Sequence, residues 1–308
     1  IALLLADDGV EAAGEVGENA AFRAFEDRAV SDFGEVDEAL GSFGLDSTLV
    51  PDIGDCAAPL VGGEFETDFH PNRADIGVIF VSEFLIDLDG TLLDTAADLA
   101  AAVNLMLSDL DRPTLAQAEV AASVGKGAEV LVHRVLTGRA DGRAPEREHA
   151  HAMQRFLHHY QSTNGQHAAP YPGVREGIDA MLSAGLRLAC VTNKPQAFAD
   201  PLLARQDLAR CFEFVQGGDA LPFKKPDPRP LLHAAARLES PARHTVAIGD
   251  SLNDAQAARA AGMTVFIVPY GYNEGAAVQS LDVDAIVDSL IDAAQRVRLY
   301  RPSAAGQP

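Results

Sequence analysis

The stretch FLIDLDGTLLDT, Phe84 to Thr95, sets three aspartates (Asp87, Asp89 and Asp94) into an otherwise apolar run. FLIDL reads as a short buried strand. Asp87 and Asp89 stand at i and i+2 of an extended segment, so both carboxylates point to the same side. Like charges this close raise each other's pKa and favour unfolding unless something compensates them. After the strand the spacing becomes helical in TAADLAAAVNLMLSDL, with Asp94 or Thr95 as the expected cap.

Downstream, helices are expected at 115–122, 127–137 and 146–161, separated by the turn signals DRP, SVGKG and GRADGRAP. No strand-like run occurs between Asp94 and Ala169, so residues 95–169 read as an all-helical unit. Beyond PYPGV the pattern alternates. Helices near 174–184, 197–204, 230–238 and 253–261 lead into the strands RLACVT, FEFVQ, TVAIG and TVFIV, and a last strand AIV precedes a terminal helix. Strands alternating with helices give a parallel sheet covered on both faces. The expected fold is therefore α/β, a Rossmann-like doubly wound parallel sheet formed by 81–94 and 170–308. The helical unit is inserted after its first strand.

Residues 1–80 differ in kind. Residues 1–83 carry 19 acidic and 3 basic side chains and no lysine, and no long stretch keeps a helical or strand period. They read as an acidic extension, poorly ordered or foreign to the natural protein, since Val81 offers a plausible start. The net charge of −21 disfavours a nucleic-acid partner. No apolar run is long enough for a bilayer, and the opening IALLLA is too short for a secretory signal core. Three cysteines, Cys56, Cys190 and Cys211, form no C-x-x-C pair, which fits a reducing cytoplasm.

Ligand sites of open parallel sheets lie beyond the carboxyl ends of the strands. Four strands here run into polar residues: Asp87–Thr91, Thr192–Lys194, Lys224–Pro228 through a loop, and Gly249–Asp254. Asp250 comes from a second strand end, with Asp254 one helical turn further on the same face. Clustered carboxylates of this kind suit a hard cation such as Mg²⁺, which would compensate them, with Lys225 adding positive charge. Gly90 lets the chain turn sharply, and Thr91 offers a hydroxyl and an amide.

In this order and spacing, DLDGTLLD, VTNK, KKPDP and GDSLND resemble the four signature motifs of the haloacid dehalogenase superfamily, over about residues 82–298. The helical insertion resembles that family's cap. YPGV, VTNKP, KKPDP, GDSLNDAQAARAAGM and YGYNEG together are similar to its phosphoglycolate phosphatases.

The resemblance implies roles. Asp87 is the nucleophile that becomes an aspartyl phosphate, and Asp89 the general acid and base. Thr192 and Lys225 hold the transferring phosphoryl oxygens. Mg²⁺ is bound by the Asp87 carboxylate, the Asp89 carbonyl and Asp250, with Asp254 binding directly or through water. Gly90, Thr91 and Asn193 are expected to contact substrate. Lys126, bracketed by Gly125 and Gly127, either meets a substrate carboxylate or is a surface lysine of a flexible turn.

The expected activity is Mg²⁺-dependent hydrolysis of a small phosphorylated metabolite, with 2-phosphoglycolate foremost, by a cytoplasmic monomer or homodimer. A sugar-phosphate mutase and a pyrophosphate or nucleotide phosphatase of the same superfamily stay open. So does a non-catalytic binding protein on this scaffold.

Overall fold

A computed structural model describes residues 79–273 and 277–300. The acidic extension assigned to 1–80 lies outside them except for its last two residues. Those two begin β1 (Ile79–Val81), which is followed at once by β2 (Glu83–Ile86).

β2 is a central strand. It pairs in parallel with β5 (Arg187–Val191) on one side and β7 (Thr245–Gly249) on the other. β6 (Phe214–Gln216) extends the sheet beyond β5, while β8 (Thr264–Ile267) and β9 (Ala285–Ile286) extend it beyond β7. All six strands are parallel, in the order β6-β5-β2-β7-β8-β9.

The strands' continuous apolar runs are explained by burial on both faces. Phe84 and Ile86 of β2 pack on one side with Val174, Ile178 and Leu202. Leu85 packs on the other with Leu231, Ala234 and Ala258. Each large apolar side chain so buried contributes about 1.5–3 kcal/mol relative to exposure. The covering helices are α5 (Val174–Ser183), α6 (Gln196–Arg205) and α9 (Leu290–Gln295) on the first face. α7 (Arg229–Arg237) and α8 (Leu252–Ala260) cover the second. Every helix expected from periodicity ends within two residues of its expected bounds.

Between β3 (Leu93–Asp94) and β4 (Ala169–Pro170) the chain forms only helices: α1 (Ala96–Asp109), α2 (Gln117–Ala121), α3 (Ala128–Thr137) and α4 (Glu146–Thr163). They share a core of their own around Val103, Met106, Val132 and Phe156, joined by Phe198 and Tyr272 from the sheet domain. The two linkers of this insertion pair antiparallel, Leu93 with Pro170 and Asp94 with Ala169.

Asp98, fully buried on α1, fixes the returning linker. Its carboxylate accepts from the backbone N–H groups of Gly165 at 2.6 Å, His167 at 2.7 Å and Ala168 at 3.2 Å. Three such donors satisfy a charge that would otherwise be costly to bury.

One pairing goes beyond the sequence expectations. β1 lies parallel to β10 (Val297–Leu299) in a separate two-stranded sheet, so Ile79 and Phe80 belong to a strand rather than to an irregular extension. Runs of three residues are too short for alternation to reveal a strand.

Candidate active site

The polar strand ends meet at the carboxyl edge of the sheet. Asp87 directly follows β2, and its N–H donates to Ile248 O at 2.9 Å, continuing the ladder to β7. Asp250 directly follows β7, and its Oδ2 accepts from the Tyr272 N–H. Asp254 lies in the first turn of α8. One carboxylate oxygen from each of Asp87, Asp250 and Asp254 falls within 4.8 Å of the others.

Glycines surround this cluster because the carboxylates fill the space that side chains would need. A Cβ on Gly90 would stand 2.2 Å from Asp250 Oδ2, and its φ of +85° is one that glycine adopts without strain. A Cβ on Gly249 would stand 2.2 Å from the Asp254 carboxyl carbon.

Lys225 closes the cluster from the KKPDP loop. Its ammonium donates to Val191 O at 2.9 Å and to Asp254 Oδ1 at 2.7 Å. It also lies 2.9 Å from Asp87 Oδ1. Two hydrogen bonds and an ion pair thus fix the ammonium in place. Asp254 is equally committed, its Oδ2 accepting from the Ser251 hydroxyl at 2.6 Å and the Ser251 N–H at 3.2 Å. Asp254 thus anchors Lys225 and the start of α8 through both of its oxygens.

The electrostatics are those of a site short of positive charge. Burial pushes the Asp87 carboxyl up to about 6, against the pull of Lys225 and with the help of Asp254. Burial, then the charges of Asp254 and Asp87, drive Asp250 well above the usual carboxylate range. For Lys225 burial acts to lower the pKa, but Asp254 and Asp87 more than reverse it, and the ammonium stays charged. Three carboxylates set against one ammonium fit a divalent cation, whose charge would return Asp87 and Asp250 to the ionised state.

Asp89 turns away from this cluster. Its Oδ1 accepts from the Thr95 hydroxyl at 2.7 Å and from the Lys194 ammonium at 3.0 Å. Thr95 therefore serves Asp89 rather than capping α1 with its side chain. Asp94 does act at that helix start, accepting from Ala96 N–H at 3.1 Å and from the Tyr272 hydroxyl at 2.5 Å.

Thr192 and Asn193 follow β5. The Thr192 hydroxyl accepts from Lys194 N–H at 3.2 Å and lines the cleft. Asn193 holds both backbone groups of Lys225, its Oδ1 accepting from the N–H and its Nδ2 donating to the carbonyl, each at 2.9 Å. The same Nδ2 lies 3.2 Å from Gly125 O in the helical insertion.

The cleft between the strand ends and the insertion is small, about 50 Å³. Apolar side chains of Leu99, Leu131, Phe156 and Phe198 wall it, with the Gly125 and Gly127 turn along one edge. Asp87, Asp89, Thr192, Asn193 and Asp250 line it as well. Gly90 and Thr91, expected to contact substrate, and Lys126, for which that is one of two readings, do not. Gly90 makes room for Asp250, Thr91 is fully buried, and the Lys126 side chain is exposed.

Three residues of the site carried no role in the sequence reading. Lys194 reads as one more polar residue after a strand, yet it is 5% exposed and bound by Asp89 and the Tyr160 hydroxyl. Tyr160 comes from the insertion helix α4, and burial lifts its phenol to about 12 against the pull of Lys194. Tyr272 sits in the YGYNEG stretch, whose resemblance drew attention without saying which atom acts.

Comparison with known proteins agrees with this geometry. The family model described as "Hydrolase: haloacid dehalogenase-like hydrolase" matches residues 84–262. A phosphoglycolate phosphatase of Nitrosospira multiformis is 51% identical over 218 residues, covering 71% of this chain and 96% of its own length. One from Thiobacillus denitrificans is 46% identical over 217 residues, covering 70% of this chain and 96% of its own. Among solved structures, a predicted phosphoglycolate phosphatase from Haemophilus somnus superposes with a TM-score of 0.66 at 31% identity, over 71% of this chain and 99% of that one. The chain belongs to the haloacid dehalogenase-like hydrolase family.

Proposed function

We propose that the protein is a Mg²⁺-dependent phosphatase that hydrolyses 2-phosphoglycolate to glycolate and phosphate. The observation that carries this reading is the convergence of Asp87, Asp250, Asp254 and Lys225 at one edge of the sheet. The substrate follows from the relatives named above, and the small cleft favours a compact ester over a nucleotide.

In this reading an Asp87 carboxylate oxygen attacks phosphorus and forms an aspartyl phosphate as the bond to the glycolate oxygen breaks. Asp89 delivers its proton to that leaving oxygen. It then takes a proton from the water that attacks the aspartyl phosphate, releasing inorganic phosphate and restoring Asp87. Thr192 and Lys225 face the developing charge on the phosphoryl oxygens. Asp254 and Asn193 hold Lys225 in place from its two ends. Asp87, Asp250 and the Asp89 carbonyl would hold Mg²⁺, which when bound supplies the positive charge that the carboxylates lack.

A cytoplasmic setting without a nucleic-acid partner completes the reading, the first supported by cysteines that form no C-x-x-C pair and the second by the net charge of −21. No helix among the described residues is long and apolar enough to cross a membrane.

The test is phosphate release by the full chain from 2-phosphoglycolate and a panel of phosphate esters, with Mg²⁺ and with EDTA. Turnover is expected with Mg²⁺ only, highest on 2-phosphoglycolate. It should fall at least about 10⁴-fold in Asp87→Asn. Absence of turnover on every ester from folded protein would refute the phosphatase, and a different preferred ester would refute the substrate.

A further inference from the structure

An anionic tail on the substrate has to meet a cation in the cleft, and the structure narrows the choice. Lys225 is committed to the nucleophile's side of the site, donating to Val191 O and Asp254 and ion-paired with Asp87. Lys126 is exposed and lies off the cleft wall, and Lys224 does not line the cleft either. Lys194 does line it, and it is the one lysine or arginine among the described residues that does.

Lys194 is held between the two sides of the cleft. Its ammonium is held by the Asp89 carboxylate at 3.0 Å from the sheet side. From the insertion side it is held by the Tyr160 hydroxyl, with Nζ 4.7 Å from the centre of that ring. These are its side-chain partners among the described residues. Around it the wall is apolar, with Phe156, Phe198 and Leu131. A charge-assisted hydrogen bond in such surroundings is stronger than one made in water. Asp87, Asp89 and Lys194 line the same cleft, so an anion on Lys194 shares it with the nucleophile.

We propose that Lys194 is the specificity-determining residue that receives the substrate's carboxylate, held for that purpose by Tyr160 from the helical insertion. This rests on the reading of 2-phosphoglycolate as substrate. It gives the insertion a direct part in selection, since the ammonium is positioned by one side chain from each side of the cleft. A phosphate ester without a carboxylate leaves Lys194 with Asp89 and Tyr160 alone and gains nothing from it.

The experiment compares kcat/KM for 2-phosphoglycolate and 2-hydroxyethyl phosphate, which carries CH2OH in place of the carboxylate, in wild type and in Lys194→Met. The readout is the ratio between the substrates, because any effect on Asp89 is common to both and cancels. Wild type is expected to favour 2-phosphoglycolate, and the ratio should fall about 30- to 100-fold in Lys194→Met, mostly through KM. Lys194→Arg should keep most of the preference.

Tyr160→Phe removes only the hydroxyl that steadies the ammonium, and should lower the ratio about fivefold. This second variant serves if Lys194→Met does not fold by its thermal melt. A wild-type preference that survives unchanged in folded Lys194→Met, or in Tyr160→Phe if only that variant folds, overturns the role of Lys194 and leaves the substrate standing. A wild type with no preference for the carboxylate overturns the substrate reading and this inference together.

Discussion

The two walls of the cleft are built in opposite ways. On the sheet side, charged groups crowd together and are held by one another: Asp254 uses both oxygens, Lys225 binds Val191 O, Asp254 and Asp87, and Gly90 and Gly249 leave no room for a Cβ. On the insertion side the wall is mainly apolar. Its polar links to the sheet side include Tyr160 to Lys194, Thr95 to Asp89, Asn164 to Phe198 O and Gly125 O to Asn193. The contrast teaches where each task resides. Groups that must act on phosphorus within a fraction of an ångström sit on strand ends with supporting hydrogen bonds. The groups proposed to select the substrate, Lys194 and Tyr160, meet where the two walls touch.

After Asp87→Asn, the largest effect is expected from breaking the sheet side at a position with no chemistry of its own. Gly90→Ala places a methyl 2.2 Å from Asp250 Oδ2 and puts a side chain at φ +85°. It should cost about 1–3 kcal/mol of stability from the backbone conformation alone. By displacing Asp250 it should also lower Mg²⁺-dependent phosphate release at least about 100-fold. Thermal melts and turnover measured together check both. An active Gly90→Ala of ordinary stability would show that the sheet side is looser than these contacts indicate.

The smallest effect sharpens the other wall. Lys126→Ala should change KM for 2-phosphoglycolate by less than about threefold, because an exposed lysine off the cleft wall makes at most a screened interaction. A tenfold rise would move carboxylate recognition from Lys194 back to the turn between Gly125 and Gly127.

The same contrast separates what the sequence reveals from what it conceals. FLIDLDGT and the other strand-end motifs are legible because strand periodicity tells where a strand stops, although not that Asp89 turns from Asp87 toward Thr95 and Lys194. The glycine-flanked Gly249–Asp254 segment is legible for a similar reason, since its functional groups belong to one local turn. Lys194 is not, because its burial depends on Asp89, 105 residues away, and on Tyr160, 34 away. Tyr272 acts on Asp250 through its backbone N–H, which no residue type announces. Lys126 stays open in sequence for the complementary reason: a lysine between two glycines reads equally as a reaching group or a surface one, and the fold leaves its side chain exposed.

Stability against pH gives the most direct test that the carboxylate cluster is a metal site. Asp87 has a folded pKa of about 6 against an ordinary 3.8, so between those values the folded state keeps a proton that the unfolded chain has released. Without metal, stability should therefore fall as pH rises through that window. A cation binding the ionised cluster reverses the loss, and protons compete with it below about pH 6. The measurement is the Tm of the full chain with and without 10 mM Mg²⁺, at pH 7.5 and at pH 5. The account predicts a Mg²⁺ shift of about 2–4 °C at pH 7.5 that disappears at pH 5. No shift at pH 7.5, or an equal shift at both, would contradict it.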